Sequence, residues 1–192
     1  IAGFPQGMTV GPLKDGILEV SLDIKGKGND WHAWQINGWI ALTDVLVVPT
    51  GVEQTVSDLY VRPKIIRTSA EIKRLAFKVK DSDVRLSGMV RNWNRNPFFN
   101  VDIESAQLDI DLLIPKGKRS PIRDFLELLA DTSRVVATVS IDRGMYKTLV
   151  FNSLTSRLNI RGNVLDVDRI SGDTDDGHVA RRVVVFLPPL KP

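Results

Sequence analysis

Catalysis and metal binding need convergent side chains, and this sequence offers few. Its two histidines, His32 and His178, lie at opposite ends of the chain. That separation does not suggest a histidine–carboxylate pair or a multi-histidine metal site. His32 sits in Trp31-His32-Ala33-Trp34, where an aromatic cage is one reading and packing at a loop or strand edge is the simpler one. The stretch Asp173-Thr174-Asp175-Asp176-Gly177-His178 resembles a calcium loop. An EF-hand, however, needs Gly at position 6 and Glu at position 12. Here Gly177 stands fifth and Val184 twelfth, so the stretch reads as an acidic turn.

Asp109 and Asp111 flank Ile110 and would share one face of a strand. Paired carboxylates can do acid–base work, but on a wet face they keep an edge soluble, and that is the reading taken. The turn Lys25-Gly26-Lys27-Gly28-Asn29 opens no helix, so it is not a dinucleotide fingerprint. Lys116, Lys118 and Arg119 form the densest basic knot. It could touch a phosphate or a lipid headgroup and reads as a solvated loop. Cysteine is absent, which excludes disulfides, thiolate metal sites and cysteine nucleophiles. The expectation is a protein that is not an enzyme, with no catalytic residues, no metal and no cofactor.

The elements that carry these residues are predicted from composition and period. Hydrophobic residues make up 43% of the 192 and charged residues 26%, which suits a folded domain and neither a disordered tail nor a membrane bundle. Lys and Arg number 26 against 23 Asp and Glu, a scattered net charge of +3, so no nucleic-acid partner is expected. Apolar runs such as Val183 to Leu187 reach about five residues, far short of the roughly 18 to 20 of a spanning helix. The chain opens on Ile1 without a signal peptide. We read it as a piece of a longer protein, with any anchor outside the piece.

Alternation with period two dominates. Leu18, Val20, Leu22 and Ile24 are apolar, with Glu19, Ser21 and Asp23 between them, which predicts a strand with one dry and one wet face. The pattern returns at Leu75, Phe77 and Val79, at Val84 and Leu86, and at Phe99, Val101 and Ile103. It covers 154–160, 164–170 and 179–187 as well, and Gly88 marks a bulge or a close backbone approach. Short turns rich in Gly, Asn and Asp separate the segments. Together they predict one mainly β, antiparallel architecture of about eleven or twelve strands. A degenerate repeat of strand, turn and Gly-centred strand recurs near 22–47, 75–114 and 154–187. One segment breaks the period. Ser120 as N-cap, Pro121 at the first helical position and the stripe Ile122, Phe125, Leu126 and Leu129 predict an amphipathic helix over 120–131.

The sequence Asp83-Val-Arg-Leu-Ser-Gly88-Met-Val-Arg-Asn-Trp93, followed by Asn96-Pro97, forms a strand, Gly, strand, Trp, Pro unit. It is followed by 99–113, the helix, 139–160 and Arg169-Ile-Ser-Gly172 through Gly177-His-Val179. In this order the chain resembles the C-terminal region of AsmA-like envelope proteins, the group of AsmA, TamB and YhdP, over about 18–187. It departs from their pattern at Arg181-Arg182, where a Gly is common. The resemblance implies an extended, curved, antiparallel β-groove that carries phospholipid acyl chains between the inner and outer membranes of diderm bacteria. It also implies a periplasmic location, anchorage in the inner membrane and envelope-protein partners.

Physical chemistry allows the same picture. About eleven strands at about 4.8 Å would run about 50 Å, and each buried CH₂ of an acyl chain contributes roughly 0.8 kcal/mol. The residues expected to line such a groove are Leu18, Val20, Leu22, Ile24, Leu75, Phe77, Val79, Leu86, Val101, Ile103 and Leu158. A β-sandwich with a packed inner face has the same alternation. The competing functional reading is an interaction module that assists outer-membrane protein assembly through sheet-edge pairing.

Overall fold

The computed structural model describes residues 13–26, 34–47, 55–93, 96–113, 133–162, 164–175 and 177–186. They form eleven strand segments and one short helix: β1 (Leu13–Lys14), β2 (Ile17–Lys25), β3 (Gln35–Val47), β4 (Val56–Arg67), β5 (Ser69–Val79), β6 (Ser82–Arg91), β7 (Phe98–Asp109), α1 (Ile110–Leu113), β8 (Arg134–Tyr146), β9 (Leu149–Arg161), β10 (Val164–Thr174) and β11 (Gly177–Phe186). All strands belong to one sheet. From β3 onward its spatial order follows the chain order. β1 and β2 lie end to end along the same edge of β3, so the sheet is ten strands wide. Asp15 and Gly16, both with positive φ (58° and 91°), make the break between them.

Among the described residues no second sheet covers this one, because each strand packs chiefly against its ladder neighbours. The architecture is an open extended sheet and not a sandwich. One expectation needs correction, since the ladder is not antiparallel throughout. β7 and β8 run parallel, in register from Phe98 opposite Arg134 to Asp109 opposite Met145. Both strands therefore start at the same end of the sheet, which requires a crossover connection rather than a tight turn. The segment 110–133 supplies it and opens with α1. The helix expected over 120–131 lies outside the described residues, as do His32 and the basic residues Lys116, Lys118 and Arg119.

The strands are bulged, and the bulges keep the apolar residues on one face. Register shifts fall between Leu42 and Val45, between Ile72 and Leu75, and between Val167 and Ile170. Each pair is spaced by three instead of two, so one extra residue is absorbed and the apolar face is recovered beyond it. Asp44, Asp58, Ser153 and Arg169 take φ of 52° to 55° within strands, the left-handed conformation that a bulge uses. Pro63 sits inside β4, an interior strand. It lies opposite Ile72, beside the β5 bulge, where the ladder is already interrupted and a missing N–H does least harm.

Gly88 has φ 147°, and a Cβ there would come 2.3 Å from the Asn100 carbonyl oxygen. No other residue fits that approach of β6 to β7. Gly38 repeats the arrangement between β3 and β2, with φ 138° and 1.9 Å to the Ser21 carbonyl oxygen.

Candidate functional site

The register assembles the alternating apolar residues into rows that cross the sheet. One row runs Leu18, Leu42, Val61, Leu75, Leu86, Ile103 and Val139, one residue from each strand β2 to β8. A second runs Leu22, Gly38, Ile65, Ala70, Val90, Phe99, Val135, Ile160 and Leu165, nine strands wide. Between them lie Gly88, Val101, Ala137 and Leu158. The eleven residues singled out from the sequence all fall on this one face, although they come from five different strands.

Their exposure differs along the sheet. Leu18, Val20 and Ile24 on β2 are 63%, 55% and 51% exposed. Leu22, Leu75, Phe77, Leu86, Val101, Ile103 and Leu158 are half-buried. Val79 is buried at the strand end next to Ser82, so of the eleven it offers a ligand the least surface.

Two buried clusters occupy the middle of the face. Val135, Ala137 and Ile160 pack with Phe99, Val101, Leu158 and Leu165. Val84, Leu108, Ile141 and Phe151 pack with Phe77, Ile103, Ile110, Val139 and Leu154. Ile110, the first residue of α1, belongs to the second cluster, so the start of the crossover closes one end of the face. The Phe151 ring packs against Gly144, where a Cβ would come 2.1 Å from it. That contact explains a glycine near the end of β8.

Carboxylates at the same end do structural work. Asp83 Oδ1 accepts the backbone N–H groups of Ala106 (2.9 Å) and Gln107 (3.0 Å). Ser82 Oγ accepts that of Asp109 at 2.9 Å. They replace the β6–β7 ladder, which stops at Arg85 opposite Glu104. The other Asp83 oxygen has only the Arg85 guanidinium nearby, at 3.6 Å, outside hydrogen-bond distance. Asp109 and Asp111 do not share a strand face as expected. Asp109 ends β7 and accepts the N–H of Asp111, while Asp111 lies in α1 and accepts the N–H of Lys147. Both are caps on backbone donors.

The opposite face holds a cluster that reading the sequence missed. Asp173 and His178 face each other across the β10–β11 hairpin, and His178 Nδ1 lies 2.9 Å from Asp173 Oδ1. His178 Nε2 lies 3.3 Å from Ser171 Oγ. A histidine–carboxylate pair therefore exists, correcting the inference from chain separation. Hairpin register was the available signal, because it sets residue 173 opposite 178 and keeps 171 on the same side. The connectivity is that of a Ser–His–Asp relay. The Asp and His side chains are 62% and 58% exposed. Side chains this open to water are not in the desolvated setting where electrostatic stabilisation of acyl transfer is strong.

Elsewhere on this face Arg182 makes a two-pronged pair with Asp166, at 2.9 and 2.6 Å. Its hydrogen bonds hold the Asp166 carboxyl below the usual carboxylate range. Lys78 pairs with Asp58 at 2.9 Å, and that hydrogen bond raises its pKa. Arg62 stacks over Trp39 at 4.7 Å. The described residues contain no cluster of three or more candidate metal ligands and no helix long and apolar enough to cross a membrane. No family model, curated protein or solved structure matches the chain.

Proposed function

We propose that this chain is a lipid-binding, lipid-transfer module of a bacterial envelope protein, holding phospholipid acyl chains against its apolar sheet face. One observation carries the reading: apolar rows cross as many as nine strands of an open sheet and stay exposed along β2. A patch of that kind on a single layer is a binding surface more often than an accident. Acyl chains need no hydrogen bonds, only dry surface. The resemblance to AsmA-like proteins supports the same reading. It adds a periplasmic location, anchorage of the full-length protein in the inner membrane and a path between the two membranes.

Solvent extraction and mass spectrometry of the purified chain test the proposal. Phospholipid is expected to co-purify, and a fluorescent phospholipid is expected to exchange in. Leu86→Asp or Val101→Asp is expected to abolish uptake while the β circular-dichroism signal remains. A folded chain that neither carries nor accepts lipid would overturn the reading.

A second reading, an interaction module in outer-membrane protein assembly, draws on the open edges of β2 and β11. Val183 and Val184 near the end of β11 are 40% and 46% exposed, and an unpaired edge can accept a partner strand. Site-specific crosslinking from the two edge strands separates the readings. Partner capture there without any lipid would favour the second.

A further inference from the structure

Because the strands are joined mostly by short turns, their ends form two rims, and the rims differ in charge. At the rim where β2, β4, β6 and β9 end and β7, β8 and β10 begin, the terminal rungs carry Lys25, Arg67, Arg91, Arg134 and Arg161. Arg91 lies opposite Phe98, Phe98 opposite Arg134, and Arg134 opposite Arg161, a single row across β6 to β9. The Arg134 guanidinium sits 5.6 Å from the centre of the Phe98 ring. Among the described residues none of Arg67, Arg91, Arg134 and Arg161 pairs with a carboxylate, and all four are exposed. The other rim carries Asp81, Asp109, Asp111 and Asp175 beside Lys80 and Lys147. The small net charge of +3 conceals this segregation.

Directly opposed like charges destabilise a sheet, and facing positions on neighbouring strands are only about 5 Å apart. Arg134 opposite Arg161 is such a pair, and an anion bound between them would relieve the cost. The next rung inward points to the other face, the dry one, and is apolar: Phe99, Val135, Ile160 and Leu165. Trp93 stands at the same rim, with its indole N–H donated to the Arg67 carbonyl at 3.3 Å, amphipathic like the aromatics of membrane interfaces. Cations bordering a dry face match a partner that presents phosphate above hydrocarbon. Nucleic acid presents phosphate without hydrocarbon. We propose that this rim docks on the surface of an anionic phospholipid bilayer, with Arg67, Arg91, Arg134 and Arg161 against lipid phosphates and the acidic rim turned away. Each arginine at such a surface strengthens binding about fivefold.

Co-sedimentation of the full chain with vesicles tests this. One set is an equal mixture of phosphatidylglycerol and phosphatidylcholine, and the other is phosphatidylcholine alone. Native protein is expected to sediment only with the anionic vesicles and to release at raised salt. R91Q/R134Q/R161Q is expected to bind them about a hundredfold more weakly, and R161Q alone about fivefold. D81N/D175N, on the other rim, is expected to bind at least as well as native. Circular dichroism verifies the fold of each, and R161Q carries the test if the triple variant does not fold. Binding indifferent to phosphatidylglycerol, or a folded R161Q and triple variant that bind like native, would overturn the proposal. Binding of duplex DNA with no sedimentation on vesicles would overturn it as well. Lipid uptake is read in the same samples by extraction, so a chain that takes up lipid but ignores vesicle charge overturns the rim alone.

Discussion

The middle of the sheet and its β2 edge are built from the same alternating pattern and end in different states. On β8 and β9, Val135, Ala137, Ile141, Phe151 and Ile160 are 3–7% exposed. On β2, Leu18, Val20 and Ile24 are more than half exposed. A central strand has neighbours on both sides, and bulky residues such as Phe151 and Leu108 close over the face. An edge strand has one neighbour and nothing beyond it. Alternation therefore specifies a dry face, and position in the sheet decides whether that face becomes core or contact surface. The centre holds the sheet together, and the edge leaves apolar area exposed.

Substitution should separate the two regions most sharply in stability. Phe151→Ala removes a ring from the central cluster and is expected to cost about 4 kcal/mol, read by denaturant unfolding. A loss below about 1 kcal/mol would show that the centre is no core. Gly88→Ala forces a side chain against the β7 backbone at a positive φ and is expected to cost about 3 kcal/mol. Asp83→Ala strips the acceptor from two backbone donors and is expected to cost about 1–2 kcal/mol. At the edge, Leu18→Asp is expected to change stability by less than about 0.5 kcal/mol, yet to reduce uptake of a fluorescent phospholipid. Equal losses of stability from Leu18→Asp and Phe151→Ala would erase the distinction.

The smallest effect concerns pH. The Asp166 carboxyl is lowered by its hydrogen bonds to Arg182. Its contribution is fully present above the ordinary carboxylate value and is lost as pH falls through the lowered one. The stability difference between native protein and Arg182→Gln is therefore expected to shrink on acidification below that range. A difference that grows instead would contradict the pairing.

Much of this comparison was legible in the sequence, for identifiable reasons. Period two marks faces, so Leu18 to Ile24, Leu75, Phe77, Leu86, Val101, Ile103 and Leu158 could be assigned to one dry side. Gly88 announced a close approach because only glycine tolerates one. What stayed hidden depended on pairing between distant segments. The parallel β7–β8 pair follows from the length and path of the crossover and leaves no mark on either strand. Pro63 argues against an interior strand unless the neighbouring bulge is known. The roles of Asp109 and Asp111 follow from where β7 stops, and the Asp173–His178 contact follows from the register of the β10–β11 hairpin. The charged rim was hidden for the same reason. Arg91, Arg134 and Arg161 are scattered in the chain and meet only through the ladder.

Acyl chains are proposed to lie on the apolar face and not on the other, and the absence of cysteine makes that directly measurable. Leu22→Cys and Ser21→Cys place a fluorophore on adjacent residues of β2 that point to opposite faces. The measurement is quenching of each by a phospholipid carrying a spin label in its acyl chain. Strong quenching is expected at position 22 and little at position 21. Equal quenching at both positions, or none at either with the chain folded, would contradict that placement.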